Sequence, residues 1–145
     1  MHESVMAFDF GTRRIGVAVG DRGVGVAHGI VVLAVESRAE QFAAIAPLVK
    51  EWQPTQFVIG EPRHQNGEPH EIAHLAKKFG NRLHEQFRIP VAYVEETLSS
   101  SEAEAQLNDR GIRGRAQKPH LDALAAQIIL QSWLDATQRK AANAA

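Results

Sequence analysis

The chain has 145 residues, 44% of them hydrophobic and 23% charged, with a formal net charge of −1; this suits one folded unit with its own core and excludes a largely disordered chain. The near-neutral balance excludes the strongly basic class of protein that coats nucleic acid, so any such contact has to come from cations gathered on one face. The lack of cysteine excludes disulfides and thiolate zinc sites and suits a reducing cytoplasm, while the absence of an apolar run near ~18 residues or of a signal-like N-terminus predicts a cytoplasmic protein with no membrane contact.

In chain order, Ser4–Phe10 reads as a buried strand whose apolar run is broken by Asp9. Gly11–Arg14 is a turn, Ile15–Val19 a second strand and Val24–Leu33 a third, which predicts an antiparallel meander. The period then becomes helical at Phe42, Ile45, Leu48, Val49 and Trp52, with Pro47 expected to kink the helix or delay its start. Phe57–Gly60 reads as a strand and Glu61–Pro69 as a loop. Ile72, Leu75, Ala76, Phe79, Leu83 and Phe87 form the stripe of a second helix, despite Gly80. Pro90–Val94 is a fifth strand, ending at Glu95-Glu96. Ser101–Glu104 has the form of a capping box for a short helix to about Leu107. Pro119 is expected in the first turn of a last helix to about Gln138, leaving residues 1–138 as a single domain and 139–145 as a frayed tail. The order predicts an α/β fold: a mixed five-stranded sheet, three antiparallel strands then two parallel to the first, with helices on both faces.

Three carboxylates occupy unusual places. Asp9 shares a strand face with Val5 and Ala7, where a bare charge costs several kcal/mol unless compensated. Glu96 ends the last strand, and parallel pairing brings it to the same sheet edge as Asp9. Asp122, expected in the first turn of the last helix, is in step with Ala126, Ile129 and Trp133. A divalent cation would relieve the repulsion of three converging acids, and hard oxygen ligands favour Mg²⁺ or Mn²⁺ over zinc. Two such ions ~3.5–4 Å apart serve phosphodiester cleavage. Plainer roles are also open: Asp9 as a cap of the turn at Gly11-Thr12, Glu96 as a solvated strand end, and Asp122 as a partner of the helix dipole.

Four stretches, Ala7–Asp21 (AFDFGTRRIGVAVGD), Lys50–Pro62 (KEWQPTQFVIGEP), Glu95–Ala103 (EETLSSSEA) and Leu121–Leu130 (LDALAAQIIL), together resemble the YqgF/RuvX family, relatives of the RuvC resolvases within the RNase H-like superfamily. The resemblance implies an RNase H-like sheet, Asp9, Glu96 and Asp122 as the catalytic, metal-holding acids, and nuclease activity. It further implies maturation of the 5′ end of pre-16S ribosomal RNA, or, by analogy with RuvC, resolution of Holliday junctions. The sequence departs from the family pattern in three places: Thr97 stands where the third motif usually has Arg, Glu61 where the second has an apolar residue, and His120 where a Lys often precedes the last acid.

Arg13 and Arg14, beside Asp9, are candidate phosphate contacts, as are Arg113, Arg115 and Lys118, which with Arg110 form a glycine-hinged basic loop before Asp122. His120 is a candidate for proton transfer or for contact with the scissile phosphate. His70 and His74 have zinc-compatible spacing, but they lie off the apolar stripe and read as surface residues. Two rivals remain: an actin-like nucleotide-binding unit, disfavoured because 145 residues cannot form two such domains, and a non-catalytic nucleic-acid-binding module. RNA against DNA, one metal or two, and monomer against homodimer stay open.

Overall fold

A computed structural model describes residues 3–10, 14–34, 37–62, 70–96 and 117–144. Five strands, β1 (Ser4–Phe10), β2 (Ile15–Asp21), β3 (Val26–Leu33), β4 (Gln56–Pro62) and β5 (Val91–Glu96), form one sheet in the order β3-β2-β1-β4-β5. Strands β1, β2 and β3 pair antiparallel, whereas β4 pairs parallel to β1 and β5 parallel to β4. This is the expected mixed sheet. The first strand lies at its centre, which accounts for its unbroken apolar run.

Helices cover both faces. The described ones are α1 (Arg38–Trp52), α2 (His70–Phe87) and α3 (Gln117–Ala144). Alternation along β1 sends Met6, Phe8 and Phe10 to the face covered by α1 and α2, where they meet Phe42, Ile45, Phe79 and Leu83. Phe79 stands 5.5 Å from Phe8, 5.1 Å from Phe10 and 5.4 Å from Phe42, centroid to centroid, so one ring ties both helices to the central strand. Val5 and Ala7 face the other way, against Ala126, Ile129, Leu130 and Leu134 of α3.

Several boundaries differ from expectation. Helix α1 runs unbroken through Pro47, and its start is not delayed, because the Ser37 side chain accepts a hydrogen bond from the Glu40 amide at 3.1 Å. Trp52, in step with the apolar stripe, is instead 41% exposed at the end of α1. Helix α3 begins two residues before Pro119, which the first turn tolerates since its amides lack intrahelical partners anyway. It continues to Ala144, carried by the good helix formers Lys140, Ala141, Ala142 and Ala144. Gly80 sits inside α2 because a Cβ there would collide with the Tyr93 hydroxyl. The short helix expected after Ser101 lies outside the described residues.

Helix α3 runs antiparallel to β1. Gln127 Oε1 accepts from the Gly29 amide at 2.9 Å. One turn on, Gln131 Oε1 accepts from the Ala27 amide at 3.0 Å, while its Nε2 donates to the Gly25 carbonyl at 2.8 Å. These bonds satisfy backbone groups of the sheet's edge strand and fix the axial position of the helix. Gln131→Leu is expected to cost about 1–2 kcal/mol by leaving the Ala27 amide and the Gly25 carbonyl without their partner. A chemical-denaturation midpoint lowered at unchanged slope would confirm it; an unchanged midpoint would mean that water replaces the side chain.

Candidate active site

Asp9 is the penultimate residue of β1 and pairs across the ladder with Gly16 of β2 and Gly60 of β4. Its strand neighbours Phe8 and Phe10 are 0% and 4% exposed, and Asp9 itself is half-buried. By alternation it belongs to the α3 face, with Val5 and Ala7. Gly60 continues this register to Val94 of β5, which also packs on the α3 side. Glu96 lies two residues beyond Val94 and pairs with Pro62, so parity puts position 96 on that same face. Two strand spacings sideways and two residues along separate the Cα atoms of Asp9 and Glu96 by roughly 12 Å.

The contact of α3 with Gly29 locates the third acid. A Cβ on Gly29 would lie 2.5 Å from the Ala123 carbonyl oxygen, so position 123 stands at Gly29, whose register runs through Ala18 to Ala7. Because α3 runs antiparallel to β1, position 122, one residue earlier, lies ~1.5 Å further toward the C-terminal end of β1, between the levels of Ala7 and Asp9. Position 122 also lies one turn before the fully buried Ala126, on the sheet-facing stripe. For Glu96 and Asp122 the described part is the backbone; their side chains lie outside the described residues. At backbone level, all three predicted acids occupy one face of one sheet edge.

Asp122 is the sixth residue of α3, and the first turn holds no acidic residue. The helix-dipole role fades beyond the first turn, so that alternative loses its basis. The cap of the Gly11-Thr12 turn falls outside the described residues. Arg14 precedes Ile15, the register partner of Phe10, and is half-buried at the same edge. Lys118 and His120 lie on the first turn of α3, with side chains outside the described residues; Arg13, Thr97, Arg110, Arg113 and Arg115 lie wholly outside them. His70 opens α2 and His74 is exposed one turn on; α2 covers the opposite face of the sheet from α3.

Two glycines absent from the sequence reading set the depth of α3. A Cβ on Gly29 would stand 2.5 Å from the Ala123 carbonyl oxygen, and one on Gly60 would collide with Ile129. Close approach of helix to sheet therefore depends on missing side chains at both points, one of them beside Asp9. In the sequence these residues read as an ordinary strand glycine and a strand terminus; only the helix packed on them explains their identity.

Residues 3–136 match the family described as RuvX, Holliday junction resolvase. Curated relatives include a protein of Dechloromonas aromatica, 49% identical over 132 residues, covering 91% of this chain and 90% of the relative. Another, from Chromobacterium violaceum, is 50% identical over 131 residues, covering 90% and 96% respectively. Both carry the provisional name pre-16S rRNA nuclease. Among solved structures, Thermus thermophilus RuvC in complex with a Holliday junction substrate matches with TM-score 0.60 at 19% identity, covering 94% of this chain and 96% of that one. The Fowlpox virus resolvase in complex with Holliday junction DNA matches with TM-score 0.52 at 10% identity, covering 94% and 99%. At those identities the likeness is one of fold, and it agrees with the RNase H-like sheet expected from sequence.

Proposed function

The chain belongs to the RuvX family, and from that premise we propose that it is a nuclease that hydrolyses phosphodiester bonds with divalent metal held by Asp9, Glu96 and Asp122. The observation that carries this reading is the common face and common edge of positions 9, 96 and 122. The donor set fits Mg²⁺, with Mn²⁺ as substitute, because it consists of hard carboxylate oxygens and the chain has no cysteine. When bound, such ions supply a nucleophilic water at neutral pH and stabilise the leaving oxygen. The chain's own part is to hold the three acids on a rigid strand edge and helix, and to exclude water with the apolar surface around Val5, Ala7 and Ile129.

Arg14 is assigned to the phosphate next to the acids, with Arg13, Arg113, Arg115 and Lys118 as further backbone contacts. His120, two residues before Asp122, is assigned to proton transfer or to the scissile phosphate. The substrate proposed first is the 5′ end of pre-16S ribosomal RNA, after the names of the curated relatives. The family description and the junction-bound RuvC fold favour a second substrate, the Holliday junction. Among the described residues no helix is long and apolar enough to cross a membrane, and a ribosomal RNA substrate would place the protein in the cytoplasm.

The test offers the pure protein a pre-16S RNA fragment, a four-way DNA junction and single strands, each with Mg²⁺, Mn²⁺ or EDTA. Cleavage of one structured substrate with either metal, and none in EDTA, is the expected result. Cleavage undiminished by EDTA would remove the metal from the proposal. Binding without cleavage in every metal would leave a nucleic-acid-binding module, and ATP hydrolysis in its place would point to the nucleotide-binding rival.

A further inference from the structure

The sheet edge that carries Asp9 has a second chemical feature on its opposite face. A cleft of about 500 Å³ opens between the start of α1 and the middle of α2, lined by Arg38, Lys78, Phe79, Asn81, Arg82 and Glu85 among others. Three of these side chains are cationic and one is acidic. Among the described residues, Arg38, Lys78 and Arg82 form no ion pair.

The two guanidinium groups are held by aromatic faces. Arg38 Cζ lies 5.1 Å from the Phe10 centroid and 5.9 Å from that of Phe79, and Arg82 Cζ lies 5.1 Å from that of Phe42. Arg38 Nη1 also donates to Gln41 Oε1 at 2.8 Å, a neutral acceptor that leaves the charge in place. Burial first, and the neighbouring Arg82 charge second, lower the Arg38 guanidinium below its ordinary pKa. A stacked guanidinium has its plane fixed and its N–H edges presented, the form that grips a phosphate with two parallel bonds. Glu85 also lines the cleft, but among the described residues it forms no ion pair with either guanidinium, and two like charges held side by side are stabilised by an anion from outside.

We propose that the cleft of Arg38, Lys78 and Arg82 is a phosphate-binding groove that holds a stretch of nucleic-acid backbone as it passes around the sheet edge from the acids of the α3 face. This rests on the nuclease reading above and adds the path taken by the substrate. The connection is Phe10: it follows Asp9 in β1, points to the opposite face by alternation, and carries Arg38 on its ring. The acids and the groove therefore flank one strand end, and a single backbone reaches both. Phosphate contacts of this kind fix register without reading bases, so the groove takes RNA or DNA.

The experiment measures binding of a labelled RNA duplex and of a DNA duplex of the same sequence, by fluorescence anisotropy in EDTA, across a series of salt concentrations. Lys78→Gln/Arg82→Gln changes two exposed side chains and leaves the stacked Arg38 in place. It is expected to weaken binding roughly tenfold and to reduce the slope of log affinity against log salt by about 1.5 to 2, the value for two lost phosphate contacts. Lys50→Gln, in the last turn of α1, should leave the slope unchanged and so controls for bulk charge. A loss confined to the RNA arm or to the DNA arm supports the groove and identifies the strand type it holds. Wild-type binding with an unaltered slope in the double variant, or an equal loss in Lys50→Gln, overturns the groove and leaves the nuclease reading standing. Failure of the wild type to bind either duplex overturns the groove, while the nuclease reading stands or falls on the cleavage test above.

Discussion

Asp9→Asn is expected to reduce cleavage about a thousandfold or more while leaving the fold intact. The proposed site uses charge: an ion held by three carboxylates contributes several kcal/mol of transition-state stabilisation, and each 1.36 kcal/mol is a decade in rate. Asparagine keeps the shape of the side chain and an oxygen that can accept hydrogen bonds, but it removes one charge that the ions require. Packing around position 9, between Phe8 and Phe10, is unaffected. In EDTA the variant should unfold at or above the wild-type temperature, because the proposed site then holds one like charge fewer. Added Mg²⁺ should raise the melting temperature of the wild type and not that of the variant, since a ligand stabilises only the state that binds it. Thermal unfolding and a cleavage assay on the same preparations separate the two effects. Cleavage by Asp9→Asn at the wild-type rate would place the chemistry elsewhere, or in a contaminating nuclease.

The features legible in the sequence were those with a local period or a local anomaly. Alternation and apolar runs gave five strands and their directions, because a centrally buried strand has to be apolar throughout and Ser4–Phe10 is. Asp9 stood out for the same reason: a charge in such a run calls for an explanation. Residues whose meaning comes from a distant partner could not be read. Gln131 looks like any polar helix residue until the Gly25 carbonyl and the Ala27 amide are seen beside it. Arg38 and Arg82 are far apart in the chain, and neither shows in sequence the aromatic ring beneath it. Position at the end of the chain suggests a frayed tail, whereas the helix propensity of Lys140–Ala144 extends α3 through it.

Gly29→Val is expected to produce the largest combined loss of stability and activity among residues that touch no substrate. Gly29 pairs with Ala18 in the sheet, and its missing side chain leaves room for the backbone of α3. Even a Cβ there would lie 2.5 Å from the Ala123 carbonyl oxygen and 3.0 Å from its carbon. The obstacle is helix backbone, which cannot turn aside as a side chain would, so the start of α3 has to lift from β3. Overpacking of this type costs about 3 kcal/mol, which lowers the melting temperature by roughly 4 °C per kcal/mol in a chain of this size. Asp122 precedes Ala123 by one residue, so the lift moves the third acid away from Asp9, and a displacement near 1 Å costs about a hundredfold in rate. Ala123→Gly should not rescue the variant, because the clash is with main chain; His28→Ala, at the exposed neighbouring position, should change stability by less than about 0.5 kcal/mol. If Gly29→Val melts earlier yet cleaves at the wild-type rate below its melting temperature, the start of α3 is not part of the active site, and Asp122 must be replaced in the proposal by an acid from another element.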